Sequence, residues 1–279
     1  MCLTLVQDSQ PWRIAPRNEL RRSRGELRMA DRSSIEWTEA TWNPTTGCDK
    51  VSPGCDNCYA LTLAKRLKLM GQAKYQNDGS DRTSGPGFQL TVHPETLSIP
   101  FRWPSPRTIF VNSMSDLFHE DVPLAYMREV FDVMAATPHH TYQVLTKRTR
   151  RLVEMAERLE WTSNIWIGTS IESDRYAFRA RQLAEVPAAV RFLSLEPLLG
   201  PIRKVPLDGV EWVIAGGESG PGARPVDPTW VRGIRDRCVE TGVPFFFKQW
   251  GGRTPKSNGR LLDGRTWDEM PSARASAER

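Results

Sequence analysis

Between Thr108 and Gln249, short runs rich in β-branched and aromatic residues alternate with longer runs whose apolar residues recur every three or four positions. The short runs are Thr108–Asn112, Thr141–Thr146, Ile165–Ser170, Arg191–Leu195, Trp212–Gly216 and Pro244–Gln249, and they read as strands. Helical stripes separate most of them. Leu124, Met127, Phe131 and Met134 form one, between Pro123 and Pro138. Leu152, Met155, Ala156 and Leu159 form a second; Tyr176, Ala180, Leu183 and Ala184 a third. Val231, Ile234 and Cys238 form the last, opened by Asp227-Pro228 and closed by Gly242. Cys238 is thereby read as a small buried hydrophobe. Only a Gly/Pro-rich link joins Leu195 to Trp212. Strand–helix alternation predicts parallel strands with right-handed crossovers. A loosely alternating, Trp- and Thr-rich stretch, Ile35–Asn43, adds a seventh unit. The expected fold class is α/β: one complete or partial (β/α) barrel, with a doubly wound open sheet as the alternative. In both, chemistry collects at the C-terminal ends of the strands.

Those ends carry ionisable groups. The first run leads to Asn112-Ser113-Met114-Ser115-Asp116, the second to Lys147-Arg148, the third to Ser170-Ile171-Glu172 and the fourth to Glu196. The fifth ends in Gly216-Gly217-Glu218 and the sixth in Lys248-Gln249. Strand exits are polar in any protein, but six in succession predict a pocket of mixed charge, the kind that shifts pKa values and supplies acids and bases. Asp116, Lys147, Glu172, Glu196 and Lys248 are the candidate catalytic side chains. The Gly-rich run after the fifth strand lacks the dinucleotide spacing and has no Walker lysine. Gly216 and Gly217 let the backbone approach a ligand, and Glu218 can hold an ammonium group. A flexible strand-to-helix loop is the plainer alternative.

A second feature lies upstream. Cys48, Cys55 and Cys58 sit in a Gly- and Pro-containing loop, six residues apart and then two. Thiolates are soft ligands suited to zinc or iron–sulfur clusters. A closed zinc site usually shows four ligands, whereas a cluster held by three cysteines leaves one iron open. A zinc loop with a distant fourth ligand, or three unligated thiols, are the other readings. A disulfide is disfavoured by the odd number and the lack of a secretory signal. After Cys58, Ala60, Leu63, Ala64, Leu67 and Met70 predict one helical face, stopped by Gly71. Residues 72–107 are polar and proline-rich, and predict an irregular insertion with a helical turn near Pro94–Leu97.

The net charge of +5 is uneven. Residues 1–30 hold six arginines against three acidic residues, leaving the rest nearly neutral. Charge therefore does not indicate a nucleic-acid groove, although a nucleic-acid partner stays open. Residues 1–30 are expected to be a disordered basic leader, with Met29 as an alternative start, residues 31–271 the folded domain, and 272–279 a flexible tail. Cys2–Val6 is too short for a signal peptide, and no apolar run approaches the ~20 residues of a membrane span. A cytoplasmic protein with no membrane partner is expected. Of the ten tryptophans, Trp42, Trp103, Trp250 and Trp267 sit in polar or proline-rich surroundings, where core packing is favoured over a place in a cleft.

Several motifs recur in a family order: Ile35-Glu36-Trp37-Thr38, Trp42-Asn43-Pro44 with the three-cysteine loop, Ser113 to His119, Leu145-Thr146-Lys147-Arg148, Ser194 to Leu199, Gly216 to Gly220 and Phe246 to Trp250. From about Ser33 to Pro271 the chain resembles the three-Cys-motif family of phage and bacterial proteins, which is largely uncharacterised. That family in turn resembles radical S-adenosylmethionine (SAM) enzymes. The resemblance implies a barrel whose three thiolates hold a [4Fe-4S] cluster, with SAM chelated at the open iron and cleaved after electron transfer. It implies an electron donor and a three-Cys-motif partner protein. The first cysteine gap of six differs from the superfamily's three, Asn57 stands where an aromatic residue is usual, and the Gly-Gly-Glu comes late. The alternative is a zinc-binding protein of a phage nucleic-acid complex, and beyond it a zinc hydrolase.

Overall fold

The computed structural model describes residue 33 and residues 35–271. The expected leader and tail lie outside the described residues. Seven strands form one parallel sheet: β1 (Ala40–Trp42), β2 (Thr108–Val111), β3 (Thr141–Thr146), β4 (Ile165–Ser170), β5 (Val190–Leu195), β6 (Trp212–Gly216) and β7 (Phe245–Gln249). Their spatial order is their chain order, and every neighbouring pair is parallel. A doubly wound sheet reverses its order at a switch point. This one does not, so the crossovers lie on one face, as in a barrel.

The helices are α1 (Tyr59–Leu69), α2 (Leu124–Ala136), α3 (Thr149–Ala156), α4 (Phe178–Ala184) and α5 (Pro228–Thr241). Asp227 caps α5 by accepting from the Thr229 amide at 2.7 Å, and Gly242 closes it. The main core lies between helices and sheet. Ile109, Val111, Tyr142, Val144, Ile167, Leu193, Val213 and Phe247 point into it, as do Met127, Phe131, Leu183, Ile234 and the fully buried Cys238. Trp42, Trp103 and Trp267 pack in the same core and Trp250 lies against it.

Alternate residues line the other face: Phe110, Trp166, Phe192, Trp212, Ile214 and Phe246, with Trp37. The Trp212 ring lies 5.6 Å from Phe192, 6.1 Å from Phe246 and 6.3 Å from both Trp166 and Trp37. Trp37 precedes the first strand and Trp212 sits on the sixth. Their contact means that the sheet curls until its two ends share one aromatic plug. The Gln143 amide, donating to the Trp37 carbonyl at 3.3 Å, ties the same edge to the interior. β1 and β7 do not pair, so the barrel is partial.

The insertion after α1 is irregular as expected, with short 3-10 turns at Ala73–Tyr75, Pro94–Thr96 and Pro100–Arg102 and a small antiparallel pair, Thr45–Thr46 with Thr91–Val92. The helix α1 differs from the expected stripe. Ala60, Ala64 and Leu67 are buried against Tyr75, Phe88 and Met114, but Leu63 and Met70 are exposed. The helix rests on this insertion and on Met114 beyond β2, so the face it hides is narrow. Among the described residues, no helix is long and apolar enough to cross a membrane.

Candidate functional site

Above the aromatic plug, inward-facing residues become small and polar. The register places Ser170 beside Ser194, and Lys147 follows Thr146 at the end of β3. One layer higher, Glu196 of β5's end and Lys248 of β7 meet at 3.2 Å across β6. Gly216 is the β6 residue between them. A Cβ there would lie 2.7 Å from Glu196 Oε1, so glycine is what lets the pair form. Ser194 donates to the other Glu196 oxygen at 3.3 Å. The Ser170 hydroxyl is buried with no hydrogen-bond partner among the described residues.

The cysteine loop, residues 47–58, lies over this mouth, and four strand ends grip it. After β2, Ser115 donates to the Gly47 carbonyl at 2.6 Å, and Gly47 donates to the Met114 carbonyl at 3.0 Å. After β3, Arg148 donates through Nη1 to Cys48 Sγ at 3.2 Å and through Nη2 to the Asp49 carbonyl at 3.1 Å. Asp116 stands behind the guanidinium at 3.3 Å, and itself accepts from Thr146 Oγ1 at 2.7 Å and the Lys147 amide at 3.1 Å. After β4, Glu172 accepts from Ser52 of the loop and pairs with the buried Arg179 at 3.0 Å. Gly54 lies so close to the Glu172 carboxylate that a Cβ would come within 2.5 Å of it. After β6, Glu218 accepts from Asn57 at 2.9 Å and from Arg224, which also donates to the Pro53 carbonyl at 2.8 Å. The insertion and the segment after β2 hold the outer side: Asp49 accepts from Thr83 and Ser84 and meets His119 Nε2 at 3.0 Å.

The electrostatics follow from burial and these partners. Burial, helped by Asp116, pushes the Cys48 thiol up to about 12, while Arg148 pulls it down. Burial also raises Cys58; the Ala60 and Leu61 amides at the start of α1 and the Lys147 ammonium oppose it. Burial acts to raise Glu218, but Arg224 and Asn57 outweigh it and hold the carboxyl below its ordinary value. Burial likewise acts to raise Asp49, and Thr83, Ser84 and His119 bring it below its ordinary value.

The sequence-identified residues therefore divide. Asp116, Glu172 and Glu218 contact the cysteine loop or the residue that holds it. Lys147, Glu196 and Lys248 lie on the inner face with Gly216. Gly217 packs against the Trp250 carbonyl, which a Cβ would meet at 2.0 Å. Sequence reasoning missed Ser52, Asn57, Arg148 as a sulfur partner, Arg179 and Arg224. One signal was readable: Arg179 interrupts an apolar stripe seven residues after Glu172. Two clefts of about 350 and 470 Å3 open at the opposite, N-terminal ends of the strands, beside Trp37 and Phe246 and beside Val210 and Pro244.

Three thiols in one loop are a soft donor set, which an iron–sulfur cluster or zinc would accept. Among the described residues, no three His, Cys, Asp or Glu side chains gather closely enough to hold a single metal ion. A cationic N–H directed at Cys48 Sγ fits a sulfur that carries negative charge.

A profile of the family described as protein of unknown function (DUF5131) matches residues 32–271. A search of curated proteins finds no match. Among solved structures the chain is similar to spore photoproduct lyase. A Cys-to-Ala mutant with dinucleoside spore photoproduct is 14% identical, with a TM-score of 0.45 over 78% of this chain and 65% of that one. A double mutant with bound AdoMet and dinucleoside spore photoproduct is 14% identical, with a TM-score of 0.43 over the same shares. A Tyr-to-Phe mutant is 13% identical, with a TM-score of 0.44 over 76% and 64%. In each case the chain spans less than two thirds of the lyase.

Proposed function

The chain belongs to this family of unknown function, and on that premise we propose that it is an iron–sulfur enzyme of the radical SAM type. Cys48, Cys55 and Cys58 would hold a [4Fe-4S] cluster, leaving one iron for SAM. The observation that carries this reading is the loop itself: three thiols with no fourth cysteine in the loop, held over the C-terminal mouth of a partial barrel by contacts from four strand ends. Such a cluster, when bound, supplies an electron to the sulfonium of SAM and so opens radical chemistry.

The remaining roles fall to this chain's side chains. Asp116, Arg148, Glu172 and Glu218 hold the loop that carries the three thiols. Lys147 and the Glu196–Lys248 pair present charge at the mouth, where they can orient a bound molecule. The aromatic plug of Trp166, Phe192, Trp212 and Phe246 closes the interior below and excludes water from that side. The plug leaves the mouth as the way in.

The test is metal and sulfide analysis of protein purified without oxygen. Brown protein with about four irons and matching acid-labile sulfide supports the proposal. Colourless protein with one zinc per chain contradicts it.

A further inference from the structure

We propose that Arg148 is a positioning residue that sets the reduction potential of the cluster through its hydrogen bond to Cys48. The inference rests on the iron–sulfur reading above and adds to it a tuning device.

Among the contacts of the described residues, Cys48 Sγ receives its bond from a side-chain cation, at 3.2 Å. Cys55 has only a hydroxyl at 4.0 Å, from Ser52. Cys58 faces helix amides and the Lys147 ammonium without a close bond of that kind. The three thiolates are therefore unequal. Charge withdrawn from Cys48 stabilises the more negative, reduced state of the cluster, so the bond raises the potential.

The guanidinium is held in place to do this. Its side chain is only 8% exposed, as is that of Asp116. Nη2 is fixed by the Asp49 carbonyl, and Nη1 is shared between Cys48 and Asp116. Asp116 is fixed in turn by Thr146 and by the Phe118 and Lys147 amides. The aspartate thus acts against the arginine. It orients the fork, and its negative charge offsets part of the positive field at the sulfur.

That opposition gives the test. The potential is measured by mediated dithionite titration of the cluster-loaded protein, followed by its visible and electron paramagnetic resonance spectra. Arg148→Gln should disfavour the reduced state about tenfold, which is ~59 mV for one electron. Asp116→Asn keeps an acceptor for Thr146 and removes the negative charge, so it should shift the potential upward. Arg148→Lys keeps charge without the fork and should fall between wild type and Arg148→Gln. Iron content and circular dichroism identify any variant that loses the cluster or the fold, and Asp116→Asn, which leaves the arginine in place, then decides the sign. Shifts of the same sign in Arg148→Gln and Asp116→Asn, or an Asp116→Asn potential that does not rise, would show that Arg148 only holds the loop. Wild-type protein carrying a cluster with such unmoved potentials counts against this inference alone. Wild-type protein carrying zinc overturns both this and the proposed function.

Discussion

Asp116, Glu172 and Glu218 leave their strands and turn to the cysteine loop or its arginine, whereas Lys147, Glu196 and Lys248 stay with the inner face of the barrel. Both sets occupy strand C-termini and both are ionisable. They differ in what they touch. The first set bonds Ser52, Arg148, Arg179 and Arg224, and so it fixes a loop. The second is looser. The Lys147 ammonium has no hydrogen-bond or ion-pair partner among the described contacts, and Glu196 and Lys248 share one partly exposed pair. A strand end is therefore a poor guide to function until its partner is known.

The largest expected effect separates the two sets. Glu172→Gln strips the charge partner from Arg179, whose side chain is 3% exposed, and should cost about 3–5 kcal/mol of stability. Lys147→Met removes a charge with no such partner and should change stability by less than about 0.5 kcal/mol. Chemical denaturation measures both. Under the proposed function, Lys147→Met also loses turnover or ligand binding while it keeps the fold. Equal destabilisation by the two variants would erase the distinction.

A smaller effect tests the inner set by itself. Gly216→Ala puts a methyl where Glu196 Oε1 now lies, and should break the pair with Lys248. The carboxylate can swing aside, so the cost should be near the low end of overpacking, about 1 kcal/mol. A fully restored pair in a crystal structure of the variant would show that the glycine is not what permits it.

The smallest effect is on pH dependence. The Glu218 carboxyl is held below its ordinary value by Arg224 and Asn57, against burial. Its contribution is therefore fully present above the ordinary value of 4.5 and is lost as the pH falls through the lower folded value. Melting temperature should decline on acidification, and Glu218→Gln should decline less steeply over that window. An unchanged slope would place the acid sensitivity elsewhere, Asp49 being the next candidate.

Much of the fold was legible because β-branched and aromatic runs and apolar stripes are local properties. β3, β4 and β6 begin and end where their runs do, and β2, β5 and β7 differ by one residue at one end. The curl of the sheet was not legible, since it depends on Trp37 meeting Trp212 far along the chain. The stripe through α1 misled at Leu63 and Met70 because periodicity gives the apolar side but not how wide a surface waits to cover it. The three cysteines stood out by spacing. Their holders did not: Glu172 lies 120 residues from Ser52, and Glu218 lies 161 from Asn57. Periodicity carries no information at such separations. Arg224, on a Pro/Gly-rich loop, reads as an ordinary surface charge until Glu218 is placed beside it.

The central claim is that the loop held by the strand ends carries a four-iron cluster with one iron open to SAM. The most direct measurement is addition of SAM to the anaerobic, cluster-loaded protein, followed by spectroscopy and then by product analysis under dithionite. A SAM-dependent change in the cluster spectrum and slow release of 5′-deoxyadenosine are expected, and both should vanish when Cys48, Cys55 or Cys58 is replaced by alanine. A four-iron protein whose spectrum ignores SAM, and which yields no 5′-deoxyadenosine, would contradict the account and leave the cluster a structural or electron-transfer role.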